Sequence, residues 1–257
     1  MLEDRTVIVS GVGPGLGRSI ALRAARSGAD VVLAARNGAR LAEIAAEIEA
    51  GGRRALAVPT DITDESSAAH LVETAVAAFG RVDALVHNAF AAPPLVELGE
   101  ADPDDIRAGF ETNVIAALRL TRLCTSALAG ARGSVVMINS AVVRHSRPRF
   151  GAYRMAKAAL LSAARSLATE LGPHGIRVNT VAPGYIWSDA LREGFGHVAA
   201  ERGVPVQQVY DEIAENLDLR RLPEPEEVAD AVLFLASSAA RAVTGQCLDV
   251  NAGEFHH

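Results

Sequence analysis

Tyr153 and Lys157 stand four residues apart in the Ala-rich stretch Tyr153-Arg154-Met155-Ala156-Lys157. Positions i and i+4 share one face of a helix, so the phenol and the ammonium can point into a common site. A free tyrosine titrates near about 10, too high for easy proton exchange at neutral pH. Lowering it to roughly 7 takes about 4 kcal/mol, at about 1.36 kcal/mol per unit, so more than one positive charge is expected near Tyr153. The spacing alone arises often between surface residues. Its weight comes from Ser140 and Asn113. Ser140 follows the apolar run Val135–Asn139, where its hydroxyl can hold a substrate oxygen beside Tyr153. Asn113 lies inside a long predicted helix, for which asparagine is a mediocre former. An interior amide there suggests a hydrogen-bonding task, such as orienting a water near Lys157. The chemistry predicted is proton exchange with a substrate oxygen.

A second group lies at the start of the chain. The run Thr6–Val9 passes into Ser10-Gly11-Val12-Gly13-Pro14-Gly15-Leu16-Gly17 and then into a predicted helix. Glycines let the backbone turn sharply and approach a pyrophosphate, while the helix N-terminus offers free N–H groups and the positive end of its dipole. Pro14 removes one such donor. A dinucleotide is therefore expected against Gly11, Gly13, Gly15, Leu16 and Gly17. The second strand ends Leu33-Ala34-Ala35-Arg36-Asn37, with no carboxylate for a ribose 2′-hydroxyl. Arg36 suits a 2′-phosphate instead, so NADP(H) is expected over NAD(H), which remains possible. Asp61, followed by Ile62, can accept a hydrogen bond from the adenine amino group. Thr63 or Asp64 then caps the helix that follows.

Short β-branched runs must position these residues. They fall at Thr6–Ser10, Asp30–Ala35, Ala55–Val58, Val82–His87, Ser134–Asn139, Ile176–Val181 and Cys247–Val250. Helices are predicted near Gly15–Ser27, Ala39–Ala50, Glu65–Phe79, Pro103–Ala129, Ala152–Leu171 and Pro225–Ala236. This alternation predicts a doubly wound α/β fold, a mostly parallel seven-stranded sheet with helices on both faces. Several strands are apolar throughout, as strands covered on both faces are. The expected organisation is one Rossmann-type domain over residues 1–257. Residues 184–223 carry aromatics and weak helical patterns but no strand, and are expected to form a substrate-binding lid within it.

The 257 residues are 49% hydrophobic and 22% charged, with net charge −6. An acidic surface without a long basic run argues against nucleic acid as a partner. No uninterrupted apolar stretch reaches the roughly 18 residues of a membrane span, so no membrane partner is expected. Cys124 and Cys247 are the only cysteines, too few for a disulfide framework. With an acidic start that lacks signal-peptide order, they lead to the expectation of a cytoplasmic protein. No His, Cys and carboxylate group has metal-ligand spacing.

The order and spacing of these residues resemble the short-chain dehydrogenase/reductase family over nearly the whole chain. The resemblance rests on the SGVGPGLG loop, Asp61, Asn88-Ala89, Asn113, Ser140, Tyr153 with Lys157, and Pro183-Gly184. It implies an Asn113–Ser140–Tyr153–Lys157 catalytic tetrad, with Lys157 also binding the nicotinamide ribose. It implies that Asn88 and Ala89 lie against the cofactor and that Pro183, Gly184 and Ile186 flank the nicotinamide. It further implies a homo-oligomer, most often a tetramer and otherwise a dimer, packed through the helices near 103–129 and 152–171 and through the last strand and helix. Phe90 departs from the glycine usual after Asn-Ala, and Ser10 stands in place of threonine.

Phe90, Val142, Phe150, Tyr185 and Trp187 are expected to face a small-molecule substrate. Their character suggests a hydrophobic or cyclic secondary alcohol or ketone. Phe195 and Tyr210 are expected to pack the lid helices. Arg144, His145, Arg147 and Arg149 form a short basic cluster, expected to be a solvated loop, with contact to an acidic group on substrate as the alternative. Two other classes remain open, a non-catalytic NAD(P)-binding regulator and an enoyl reductase or epimerase on the same scaffold. A regulator need not keep the acid–base residues, all of which are present here.

Overall fold

A computed structural model describes residues 1–91 and 94–256. Seven parallel strands form one sheet: β1 (Thr6–Ser10), β2 (Asp30–Ala35), β3 (Ala55–Pro59), β4 (Ala84–His87), β5 (Ser134–Ile138), β6 (Arg177–Pro183) and β7 (Cys247–Val250). Their order is β3-β2-β1-β4-β5-β6-β7. It reverses between β1 and β4, which opens a crevice beyond their carboxyl ends. Ser10 and His87 pair in register at that point.

Helices cover both faces. Ile20 and Leu22 of α1 (Leu16–Arg26), Leu41 and Ile44 of α2 (Gly38–Ala50), and Val228 and Val232 of α9 (Pro225–Ala236) pack on one face. Leu71 of α3 (Glu65–Phe79), Leu120 and Leu128 of α5 (Ala116–Ala131), and Leu160 of α6 (Gly151–Leu171) pack on the other. Each strand of the centre is buried on both sides, which explains why β1 reads as an unbroken apolar run. Asp64 caps α3 by accepting from the Ser67 amide.

The predicted helix 103–129 is interrupted. It divides into α4 (Pro103–Phe110), a π-turn at Glu111–Ile115 and α5. The continuous helical run Pro103–Ala131 contains an 18-residue window of mean hydropathy 1.3, long and apolar enough to cross a membrane by length and composition alone. This departs from the sequence expectation, which counted only uninterrupted apolar residues. Arg119 and Arg122 interrupt the run's apolar C-terminal half, and Asp104, Asp105, Arg107 and Glu111 make its first turns polar. Its Val114, Ala117, Leu120, Cys124 and Leu128 are buried against the sheet and α3.

Residues 184–223 hold two helices rather than irregular chain, α7 (Asp189–Arg202) and α8 (Val206–Ala214). Phe195, Ala199, Val209, Ala214 and Leu222 form a small core of their own. Trp187 belongs to it, with ring centroids 4.7 Å from Tyr210 and 5.5 Å from Phe195. Both cysteines are free, and burial pushes the Cys124 thiol up to about 12.

Candidate active site

The strand β5 delivers Ser140 and the helix α6 delivers Tyr153 and Lys157 to the carboxyl end of the sheet. Asn139, buried between them, joins these elements: its Nδ2 donates to the Lys157 carbonyl at 2.9 Å and its Oδ1 accepts from the Ser140 amide at 2.9 Å. Asn139 was not singled out in the sequence. Its only signal was a polar residue closing an apolar strand. Ser140 starts the short 3-10 turn Ala141–Arg144, and its Oγ accepts from the Val142 amide at 3.2 Å.

Lys157 is buried, 3% exposed, with Nζ donating to the Ile138 carbonyl at 2.9 Å. It has no carboxylate partner among the described residues, and burial pushes its ammonium down to about 8. The ammonium lies 5.7 Å from the Tyr153 ring centroid. Burial raises the Tyr153 phenol above its ordinary value, and a hydrogen bond with Ser140 opposes the rise. The lowering expected from Lys157 together with a positive nicotinamide concerns the site with its cofactor bound. In the protein alone desolvation outweighs the hydroxyl, and Lys157 spends a proton on the Ile138 carbonyl.

Asn113 sits in the π-turn, where one extra residue per turn frees backbone groups. Its Nδ2 donates to the Ala91 carbonyl at 2.7 Å and to the Gly109 carbonyl at 2.8 Å. Its Oδ1 is buried with no protein partner. An orphaned amide oxygen of this kind has room for a water or ligand hydroxyl to donate to it. The interior asparagine thus has the hydrogen-bonding task that its poor helix propensity suggested. The π-turn was not legible, since its residues are all compatible with an α-helix.

The glycine loop follows β1. Gly11 has φ +92°, and a Cβ there would lie 2.2 Å from the Ala89 nitrogen. A Cβ on Gly17 would lie 2.3 Å from the Gly11 carbonyl oxygen, which accepts from Asn88 Nδ2 at 2.6 Å. These glycines serve packing of the loop on itself and on Asn88-Ala89. Gly13 and Gly15 differ: a Cβ on Gly13 meets no atom within 4 Å, and one on Gly15 meets only the Ser188 Cβ at 3.6 Å. The backbone therefore presents an open cradle before α1. The Gly13 N–H donates to the Gly11 carbonyl at 2.9 Å, so the donors offered to a pyrophosphate there are those of the first turn of α1. Ser188, which caps α7 through the Leu191 amide, borders that cradle and was not anticipated. Leu16 and Ile186 pack beside the core there.

Arg36 is exposed at the end of β2 without an ion-pair partner among the described residues. It lies close enough to Asp61 to favour that carboxylate. Hydrogen bonds from the Thr63 hydroxyl at 2.6 Å and the Thr63 amide at 2.9 Å hold Asp61 below the usual carboxylate range. Both use Oδ1. Ile62 packs partly against the core beneath.

Of the residues expected to face substrate, Phe90 is 61% exposed and its ring centroid lies 6.0 Å from Lys157 Nζ. Phe150 is half-buried immediately before α6. Tyr185 accepts from Arg147 at 3.3 Å and packs towards Phe195. Val142 does not fit the expectation: its side chain is 3% exposed, turned into the protein by the 3-10 turn. Trp187 is largely engaged by its aromatic neighbours. The basic loop is less free than expected, because Arg144 pairs with Asp249 at 3.1 Å and Arg147 with Glu254 at 3.2 Å. Gly184 adjoins Glu254 and Asn251, so the end of β6 and residues 251–255 form one wall.

Comparisons with known proteins show the family and the fold. A family model described as enoyl-(acyl carrier protein) reductase matches residues 11–254. An uncharacterised oxidoreductase of Mycobacterium tuberculosis is 37% identical, covering 98% of this chain and 92% of its own. The 7α-hydroxysteroid dehydrogenase of Escherichia coli is 32% identical, covering 98% and 94%. A solved 7α-hydroxysteroid dehydrogenase complexed with NADH and 7-oxo glycochenodeoxycholic acid superposes with TM-score 0.88 at 32% identity, covering 98% and 94%. A short-chain type dehydrogenase/reductase from Mycobacterium ulcerans gives TM-score 0.88 at 32% identity, covering 98% and 90%.

Proposed function

The chain belongs to the short-chain dehydrogenase/reductase family and is an NAD(P)-dependent oxidoreductase acting on CH–OH or C=O groups, and from that premise we propose that Tyr153 moves the proton. The observation that carries the reading is the Tyr153 ring 5.7 Å from the buried, carboxylate-free Lys157 ammonium at the end of β5, next to Ser140. Ser140 holds the substrate oxygen. Tyr153 takes the hydroxyl proton in oxidation and returns it in reduction. The bound nicotinamide supplies the matching hydride acceptor or donor. Lys157 offers an uncompensated positive charge to the phenolate and a donor to a ribose hydroxyl. Asn113 supports a water through its free Oδ1.

NADP(H) is the preferred cofactor on this reading, because the exposed Arg36, although near Asp61, forms no ion pair among the described residues and β2 ends without an acid. Asp61 would hold the adenine, the backbone around Gly13 and Gly15 would face the pyrophosphate, and Tyr153 with Pro183, Gly184 and Ile186 would flank the nicotinamide. Residues 184–223 act as the substrate lid. The substrate is a hydrophobic or cyclic secondary alcohol, supported by the exposed Phe90, Leu95 and Leu98. The description of the matching family model favours one second reading, reduction of an enoyl thioester. Initial rates with cyclic alcohols, their ketones and an enoyl thioester, each with NADP(H) and NAD(H), test the proposal in wild type and Tyr153→Phe. Turnover of cyclic alcohols that prefers NADP and is lost in the variant supports it. Exclusive enoyl turnover overturns the substrate class, and a tenfold preference for NADH overturns the cofactor.

A further inference from the structure

The mouth of the cleft combines apolar walls with an unneutralised cation. Leu95 is 46% exposed and Leu98 47%, and they lie along the start of α6. Leu98 packs so closely on Gly151 that a Cβ there would stand 2.9 Å from the leucine Cβ. Arg149 is four residues before Tyr153 and belongs to the loop that closes over this corner. Its Nε donates to the Leu95 carbonyl at 2.6 Å, which fixes the guanidinium, and its terminal N–H groups make no hydrogen bond among the described residues.

Two observations set Arg149 apart from its neighbours. Arg144 and Arg147 are matched by Asp249 and Glu254, whereas Arg149 has no carboxylate within ion-pair range among the described residues. Its backbone also has φ +69°, a conformation that an L side chain adopts at a cost and that glycine or asparagine would occupy more easily. Strain held at a cleft points towards use of the side chain. A guanidinium held rigidly at an apolar mouth is preorganised for a carboxylate or sulfonate.

We propose that Arg149 binds an acidic group on the substrate, so that the site takes a cyclic alcohol carrying a carboxylate remote from the carbinol. This rests on the cyclic-alcohol reading above. The carbinol then sits at Tyr153 and Ser140, the ring against Phe90, Leu95 and Leu98, and the acid at the rim. Arg154, also exposed and one residue beyond Tyr153, adds positive potential on the same side.

Two measurements test it. The first compares kcat/KM for cis-4-hydroxycyclohexanecarboxylate with that for its neutral amide. The wild type is expected to favour the acid by about tenfold, the scale of one charge-assisted hydrogen bond. Arg149→Gln should bring the ratio close to one, and Arg149→Lys should restore part of it. A purely structural strut would lower both substrates together, and an unchanged ratio in Arg149→Gln overturns the proposal. The second is calorimetric binding of cyclohexanecarboxylate, which has no carbinol, to the protein with NADP+. Binding that weakens at least about fivefold in Arg149→Gln supports the anion site even where neither alcohol turns over, an outcome that counts against the alcohol reading alone. No binding to wild type, or equal binding to both proteins, overturns it.

Discussion

Lys157 carries opposite demands. Its side chain is buried among apolar groups and has one carbonyl for a partner, so the site retains a charge that the fold would be better without. Folding depresses its pKa to about 8 from an ordinary 10.5. The unfolded chain therefore binds that proton more tightly, and this residue's penalty is full below about pH 8 and fades as pH rises towards 10.5. Lys157→Met, similar in shape and uncharged, should gain about 1–2 kcal/mol at pH 7 after allowing for the lost carbonyl bond. The gain should shrink by pH 9.5, and turnover should vanish. Denaturant titrations at both pH values check this. A variant less stable than wild type at pH 7 would contradict it. Residue types and spacing made this group legible: Tyr153, Lys157 and Ser140 stand together at the end of β5, and Asn113 holds an interior hydrogen-bonding position in the π-turn packed against α6. The raised Tyr153 phenol was not legible, because burial is a property of the assembled site. The role of Asn139 was not legible for a similar reason, since its Nδ2 partner, the Lys157 carbonyl, is a backbone atom of another element.

The glycine loop separates two roles that one motif conceals. Gly11 is required by the fold, through its positive φ and the approach of Ala89, whereas Gly13 faces open space. Gly11→Ala should therefore destabilise the protein by about 3 kcal/mol or more, since backbone atoms must shift to admit the methyl group. Gly13→Ala should unfold within about 0.5 kcal/mol of wild type, yet bind NADP(H) more weakly. Thermal unfolding of both proteins, with and without cofactor, distinguishes them; equal destabilisation would contradict the assignment. Strands were the most legible elements, because burial on both faces writes them as apolar runs. The boundaries moved where side chains decide them, as at Val82, which precedes β4 while Asp83 binds Arg5, Arg81 and the Thr6 amide. Helices α7 and α8 were read only as weak patterns, because their core is small and built largely from each other.

At the scale of the molecule, apolar residues remain on the faces that the family resemblance assigns to partners. Ile115 and Met155 are each 42% exposed, while Phe234 of α9 and Leu248 of the edge strand β7 are each 38% exposed. We propose that these faces close a homotetramer, which light scattering should report as four times the 26.9 kDa chain; a monomer would contradict it. Such an assembly would cover the long apolar helix and the free edge of β7 together. The sheet brings the glycine cradle from its first half and the Ser140–Tyr153–Lys157 group from its second to one crevice. The claim that this crevice transfers a proton through Tyr153 meets its most direct test in the initial rate of Tyr153→Phe with a cyclic alcohol and NADP+, read as nicotinamide absorbance. A loss of about a hundredfold or more in kcat, with cofactor binding retained, is the predicted result. Full turnover by Tyr153→Phe would contradict it.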